Sequence, residues 1–405
     1  MSTSDSDRLD GRRANVYRDG QLAGRLVGDG RTITFEYEDR FVAEHATRET
    51  GIATSLPFGS PASSIGLPPF FANLLPEGRR LTVLRSRLKA SLDDELALLL
   101  GAGSDPVGDI CPVAPDTEPW AATSLMDPDA PELVSFRELF ERSIAGQIAD
   151  SALPGVQDKI SGSMVSFPVR GRSKSGYFIL KLNPEDKPTL VANEAFFMEM
   201  AGDCGLEVPP TRVVRDRDGE PGLLVQRFDR AISPGGTVSR LHVEDACQLA
   251  GLYPGAKYDM AVHRLFEVVL PHVHAYEVAF LELVRLHAFS YLIANGDLHA
   301  KNVSVLWRTQ TGPAVSPAYD LLSTLPYGDQ HMALSLNGRD QSWRRKDFVW
   351  LADRFGVAPA LVEQTLDRLL VRAAPWFELT AEAGLSPKQT AHLTNTMRKR
   401  AMDMA

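Results

Sequence analysis

The chain has 405 residues, enough for two or three domains and a large buried core, and its 44% hydrophobic and 23% charged residues fit a soluble globular protein. With 43 basic against 52 acidic residues the net charge is −9, which argues against bulk attraction to nucleic acid or an anionic membrane, so an anionic substrate needs a local positive site. Three scattered cysteines, Cys111, Cys204 and Cys247, form no C-x-x-C pair and fit a reducing cytoplasm better than a disulfide scaffold or zinc ribbon. The polar residues 1–13 lack the apolar core of a signal peptide. The longest apolar segment, 278–293, is broken by Glu282, Arg285 and His287 and reads as a buried helix rather than a membrane span. A cytoplasmic protein with no membrane contact is expected.

In chain order, residues 14–26 read as two strands around an Asp19-Gly20 turn, a dipeptide favoured in tight hairpins, and alternation over 32–37 predicts a third. A Gly-, Pro- and Ser-rich loop covers 55–69, and helical periodicity runs from 79 to 100. Residues 110–113 can return to the first sheet, which places a first domain at 14–115. A linker with Pro115, Pro119, Pro128 and Pro131 precedes a helix over 135–148. Strands are expected from the turn at 154–159 up to Phe167, then over 177–182, 211–214 and 222–228, the last two around an Asp218-Gly219 turn. Residues 190–204 read as a helix, with Gly205 where a C-terminal cap is common. A second domain is placed at 130–230 and a third at 231–405, mostly helical beyond His242. Ser386 and Gln389 have the spacing of a capping box, and Arg398-Lys-Arg400 reads as a solvated helix end.

The stretch that organises the chain is 291–306. An apolar helix enters it from Glu277, polar residues fill its middle, and an apolar strand over 303–306 leaves it. Alone, Asn295-Gly296 is a turn signal. Asp297 and Asn302, separated by four residues, have the spacing of the protein-kinase catalytic loop, in which an Asp receives the substrate's hydroxyl proton and an Asn binds magnesium. Asp320, in Asp320-Leu-Leu322, can supply a second magnesium carboxylate. Phosphoryl transfer explains this set economically; metal-assisted hydrolysis is the rival. Lys181 interrupts an apolar strand, where it either snorkels from a sheet edge or neutralises phosphate charge in a nucleotide pocket. Glu194, on the following helix, either pairs with Lys181 or is a surface carboxylate. The 154–159 turn is not G-x-x-x-x-G-K-[ST], and Gly101, Gly103 and Gly108 are not G-x-G-x-x-G, so a phosphate contact there rests on backbone N–H groups. His263, His272, His274 and His287 lack the carboxylate pattern of a metal site and read as interior or surface histidines.

Several segments together resemble the HipA-like serine/threonine kinases, the toxin half of bacterial toxin–antitoxin pairs. They are Phe70-Phe-Ala-Asn-Leu-Leu-Pro-Glu-Gly78, Leu153-Pro-Gly-Val-Gln-Asp-Lys159, Phe178-Ile-Leu-Lys181, Asn193-Glu194, Val225-Gln-Arg-Phe-Asp-Arg230, Asn295-Gly-Asp-Leu-His-Ala-Lys-Asn302 and Ser316-Pro-Ala-Tyr-Asp-Leu-Leu322. The resemblance implies an α+β, bilobal protein-kinase-like fold with a β-rich amino-terminal subdomain, a mostly helical carboxy-terminal lobe, and ATP with Mg2+ in the cleft. By position, Asp297 is the implied catalytic base, Asn302 and Asp320 the magnesium ligands, Lys181 the phosphate-binding lysine and Glu194 its support. Gln226 and Phe228 are the implied hinge beside adenine, with Arg227, His299 and Tyr319 also assigned to the nucleotide site. Pro154, Gly155, Val156, Gln157, Asp158 and Lys159 are the implied mobile phosphate loop. Family members often carry an autophosphorylated serine three residues before the loop glycine; here that position is Ala152, with Ser151 beside it as the candidate. The implied partner is a HipB-like helix-turn-helix antitoxin dimer, with DNA reached only through it, and the implied substrate is a protein such as an aminoacyl-tRNA synthetase. A catalytically silent binding module and a small-molecule kinase on the same scaffold are the alternatives.

Overall fold

The computed structural model describes residues 13–29, 31–47, 51–59, 61–88, 94–103, 105–120, 124–144, 164–171, 176–233 and 235–405. In β1 (Arg13–Arg18) the inward residues Ala14 and Val16 are fully buried, the alternation that a sheet with one core face demands. Asp19 and Gly20 take the left-handed backbone, φ +41° and +91°, and turn the chain into β2 (Gln21–Asp29). With β3 (Thr32–Tyr37), β6 (Ala62–Ile65) and β7 (Ile110–Val113) they form an antiparallel sheet of order β6-β3-β2-β1-β7, while β4 (Gly51–Ala53) and β5 (Leu56–Pro57) form a separate hairpin. The periodicity expected over 79–100 resolves into two helices, Gly78–Leu88 and Glu95–Gly101. Phe35, Phe41, Phe70 and Phe71 centre the core of this unit.

The second sheet, antiparallel in order β10-β11-β9-β8, contains β8 (Val165–Arg170), β9 (Tyr177–Leu182), β10 (Thr211–Arg215) and β11 (Pro221–Gln226). Both of its faces are covered. Leu180, Leu182 and Leu224 pack with Phe136 and Leu139 of helix Phe136–Ile144, whereas Leu223 and Val225 pack with Leu190 and Val191 of helix Leu190–Asp203. That helix stops at Gly205, φ +84°, where Leu206 N–H donates to the Ala201 carbonyl at 3.0 Å.

A hairpin of β12 (Arg230–Ile232) and β13 (Val238–Arg240) leads into the helical part. Its centre is helix Tyr276–Leu292, apolar on nearly every side and enclosed by helices Val262–Val269, Arg345–Phe355, Pro359–Ala373 and Pro387–Met404. The same region holds a three-stranded sheet of β14 (Val243–Asp245), β15 (Ser304–Arg308) and β16 (Gly312–Val315), of which the apolar run 303–306 predicts only β15. His287 is buried on the central helix, where burial lowers its pKa to about 4; its Nδ1 lies 2.8 Å from the Leu283 carbonyl, as a core histidine does.

Arg400 corrects the reading of residues 398–400 as a solvated helix end. It is buried, donates to the Tyr291 carbonyl at 2.6 Å and lies 4.5 Å from the centre of the Tyr291 ring. The capping box at Ser386 forms as its spacing predicts. Among the described residues no helix is long and apolar enough to cross a membrane.

The first unit is tied to the rest by buried polar contacts. His242 lies between Asp109 (Nδ1 to Oδ1, 2.7 Å) and Glu244 (Nε2 to Oε1, 3.1 Å), and the Thr54 N–H donates to the same Glu244 oxygen at 2.9 Å.

Candidate active site

Successive side chains of a strand point to opposite faces, so β9 sends Leu180 and Leu182 toward helix Phe136–Ile144 and Lys181 toward helix Leu190–Asp203. Glu194 on that helix therefore meets it: Lys181 Nζ donates to Glu194 Oε1 at 2.5 Å and also contacts Asp320 Oδ1. Burial opposes the Lys181 charge, but the carboxylates of Asp320 and Glu194 outweigh it and raise its pKa. Burial pushes Glu194 the other way for a carboxylate, up to about 7, against the pull of Lys181.

The central helix ends at Leu292, and Ala294, at φ +56°, swings the chain into the polar loop. Gly296 is pressed against the following segment. Its N–H donates to Thr324 Oγ1 at 2.8 Å, and a Cβ there would lie 2.4 Å from the His331 carbonyl oxygen, so only glycine fits. Asp297 N–H donates to Asn295 Oδ1 at 3.1 Å, and Tyr258 O–H donates to Asp297 Oδ1 at 2.9 Å. A short turn, Ala300–Asn302, then aims Asn302 at Asp320, with Nδ2 3.2 Å from Oδ2. Asp320 itself sits in the left-handed region at φ +57°. Tyr319 donates to the Lys301 carbonyl at 2.8 Å, and its ring centre lies 5.8 Å from that of Phe228. The His299 ring packs edge-on to Tyr258.

Lys181, Gln226, Phe228, Asp297, His299, Asn302, Tyr319 and Asp320 all line one cleft, whose apolar wall includes Ile179 and Val225. Arg227 lines it as well, with its guanidinium turned into an ion-pair network. It is buried, donating from Nε to Asp229 Oδ1 at 3.0 Å and from Nη2 to the Pro106 carbonyl at 2.7 Å, with Asp105 3.0 Å from Nη1. Arg230 completes this network with Asp229 and Asp105, at 2.8 and 2.9 Å, and joins the end of β11 to residues 105–108 of the first unit. Ser151, Ala152 and the loop Pro154 to Lys159 lie outside the described residues.

The cleft also contains residues to which the sequence assigns no role. Lys301 Nζ donates to the Asn73 carbonyl at 2.9 Å and to Asn73 Oδ1 at 3.1 Å, and lies 3.1 Å from Glu77 Oε1. Lys257 Nζ donates to Glu77 Oε2 at 2.5 Å. Their partners lie far away along the chain, so nothing local in sequence marks these contacts, and nothing marks Lys257 or Tyr258.

The HipA N-terminal domain family matches residues 14–111, and the HipA-like C-terminal domain family matches residues 151–377. The chain belongs to the HipA family. This HipA-family chain is 32% identical over 384 residues to "Putative kinase Y4mE" of Sinorhizobium fredii, covering 88% of this chain and 89% of that protein. It is 27% identical over 344 residues to the serine/threonine-protein kinase toxin HipA of Shewanella oneidensis, covering 78% and 77%. Among solved structures, the Shewanella oneidensis toxin–antitoxin complex of HipA, HipB and operator DNA superposes with a TM-score of 0.76 at 22% identity, over 96% of this chain and 97% of that one. The expected α+β architecture is thus the HipA fold, and kinase is the activity for which the family's members are named.

Proposed function

We propose that this HipA-family chain is an ATP- and Mg2+-dependent serine/threonine protein kinase, a growth-arresting toxin acting on a translation component such as an aminoacyl-tRNA synthetase. The observation that carries this reading is Lys181 held between Glu194 and Asp320, with Asn302 on the second Asp320 oxygen and Asp297 on the same cleft. Asp297 orients the attacking hydroxyl and takes its proton, with Tyr258 fixing one carboxylate oxygen. Lys181, steadied by Glu194, receives phosphate charge. Asn302, whose Nδ2 donates to Asp320 Oδ2, and Asp320 carry the amide and carboxylate oxygens of the hard set that magnesium takes, and are the residues that would hold the ion. Bound there, magnesium neutralises charge on the triphosphate. Gln226 and Phe228 border adenine, His299 and Tyr319 complete the nucleotide site, and residues 154–159 form the phosphate loop, with Ser151 as the self-phosphorylation candidate.

The units are assigned as an amino-terminal subdomain at 14–115, an ATP-binding core at 130–230 and a helical lobe at 231–405. Likeness to the Shewanella oneidensis protein, solved with HipB and operator DNA, supports a HipB-like helix-turn-helix dimer as partner, with DNA reached only through it, in the cytoplasm.

The test is transfer of label from γ-labelled ATP to bacterial extract, comparing wild type with Asp297→Asn. Loss of a positioned base lowers the rate about 10²- to 10⁴-fold. Undiminished labelling by the variant refutes the reading, and label on small molecules instead of proteins favours the small-molecule kinase. If ATP with magnesium fails to raise the melting temperature, the silent binding module gains ground.

A further inference from the structure

We propose that Glu77, from the amino-terminal subdomain, is a positioning residue for phosphoryl transfer, holding the loop that carries Asp297 and Asn302. This rests on the kinase reading above.

Glu77 reaches the cleft because its segment is anchored on both sides. Phe70 and Phe71 of the short helix Pro69–Ala72 are buried in the core of the first unit. From the helical lobe, Gln248 Nε2 donates to the Phe70 carbonyl at 3.2 Å, while Asn73 Nδ2 donates to the Leu252 carbonyl at 2.8 Å. The Glu77 carboxylate then faces two lysines, one on each oxygen: Lys257 on Oε2 and Lys301 on Oε1. Lys257 is 2% exposed and Lys301 7%, so bulk water hydrates neither ammonium, and both depend on a counter-charge. Asp245, with Oδ2 3.9 Å from Lys301 Nζ, is a more distant second anion. Burial raises the Glu77 pKa, yet the charges of Lys301 and Lys257 outweigh it, so the carboxyl is held ionised.

Each lysine is joined to a reacting group by the backbone. Lys301 immediately precedes Asn302. Lys257 accepts the Ala300 N–H on its carbonyl at 3.1 Å and precedes Tyr258, whose hydroxyl holds Asp297. One carboxylate therefore fixes two segments, 257–258 and 299–302, that together set the distance between base and amide. Without its charge, two buried ammoniums repel across the gap, and Lys301 carries Asn302 with it. A displacement of about 1 Å in such a constellation lowers the rate on the order of 10²-fold.

The experiment uses the full chain, γ-labelled ATP at varied concentration and a fixed bacterial extract as acceptor, with rates expressed per folded molecule. Glu77→Gln is expected to lower the maximal rate about 10²-fold while the KM for ATP stays within about threefold; Glu77→Asp, which keeps the charge, recovers at least about tenfold. A role confined to stability would lower the melting temperature and leave the rate per folded molecule unchanged. Should Glu77→Gln not fold, the pair Glu77→Gln with Lys257→Met removes one buried charge of each sign and is read in the same way. The proposal is overturned if the folded variant keeps a maximal rate within threefold of wild type, or if Glu77→Asp is as slow as Glu77→Gln. Failure of the kinase reading looks different: wild type itself transfers no label, or Asp297→Asn transfers as much.

Discussion

Replacing Lys181 with methionine keeps most of the side-chain volume and removes the charge between Glu194 and Asp320. Glu194, fully buried and with its Oε2 lacking a hydrogen-bond partner, is then a carboxylate without its ammonium. Removing one member of a buried pair costs about 3–5 kcal/mol, and the protein limits that cost by placing a proton on Glu194. The folded pKa of Glu194, about 7, already lies above its ordinary 4.5, so ionisation of this group weakens the fold. The penalty is absent below pH 4.5, grows as pH rises toward 7 and levels off above it. Without Lys181 the folded pKa climbs further, and the penalty keeps growing past neutrality. From pH 6 to 8 this linkage removes about 1 kcal/mol from wild type and about 3 kcal/mol from Lys181→Met. Urea unfolding across that range reads the difference. The double variant Lys181→Met with Glu194→Gln leaves no buried charge at the pair and is expected to recover most of the stability while phosphate transfer stays lost. Equal pH slopes for wild type and the single variant would refute the reasoning.

His242→Gln probes the link between the units. Burial opposes the His242 charge, but Asp109 and Glu244 outweigh it and raise its pKa to about 9, so its stabilisation is complete below 6.5 and lost as pH rises through 9. That contribution is on the order of 3 kcal/mol; melting temperatures across the window should fall in wild type and stay flatter in the variant, and parallel curves would count against it. Arg400→Met leaves the Tyr291 carbonyl without its buried donor, which should lower stability by about 1–3 kcal/mol in urea unfolding. A change under about 0.5 kcal/mol would restore the solvated reading of that helix end.

Much of the fold is legible in the sequence because its cues are local. Asp19-Gly20 and Gly219 turn hairpins, Gly205 and Ser386 bound helices, and alternation marks β1 to β3. Lys181 and Glu194 are legible as a pair because a strand and the next helix bring them together across thirteen residues. Glu77 and Lys257, 180 residues apart, carry no such cue, and neither does Tyr258. Arg400 misleads for the opposite reason: its basic neighbours suggest water, while the carbonyl it serves lies 109 residues earlier. The strands β14 and β16 are three and four residues long, too short for alternation to register.

The arginine network around Asp229 ties one wall of the cleft to the first unit. Arg227 and Arg230 bolt the segment after β11 to residues 105–108, and the first unit is in turn seated on the helical lobe. The amino-terminal unit thus braces both the end of β11 and the polar loop after the central helix, from residues more than 120 positions earlier in the chain.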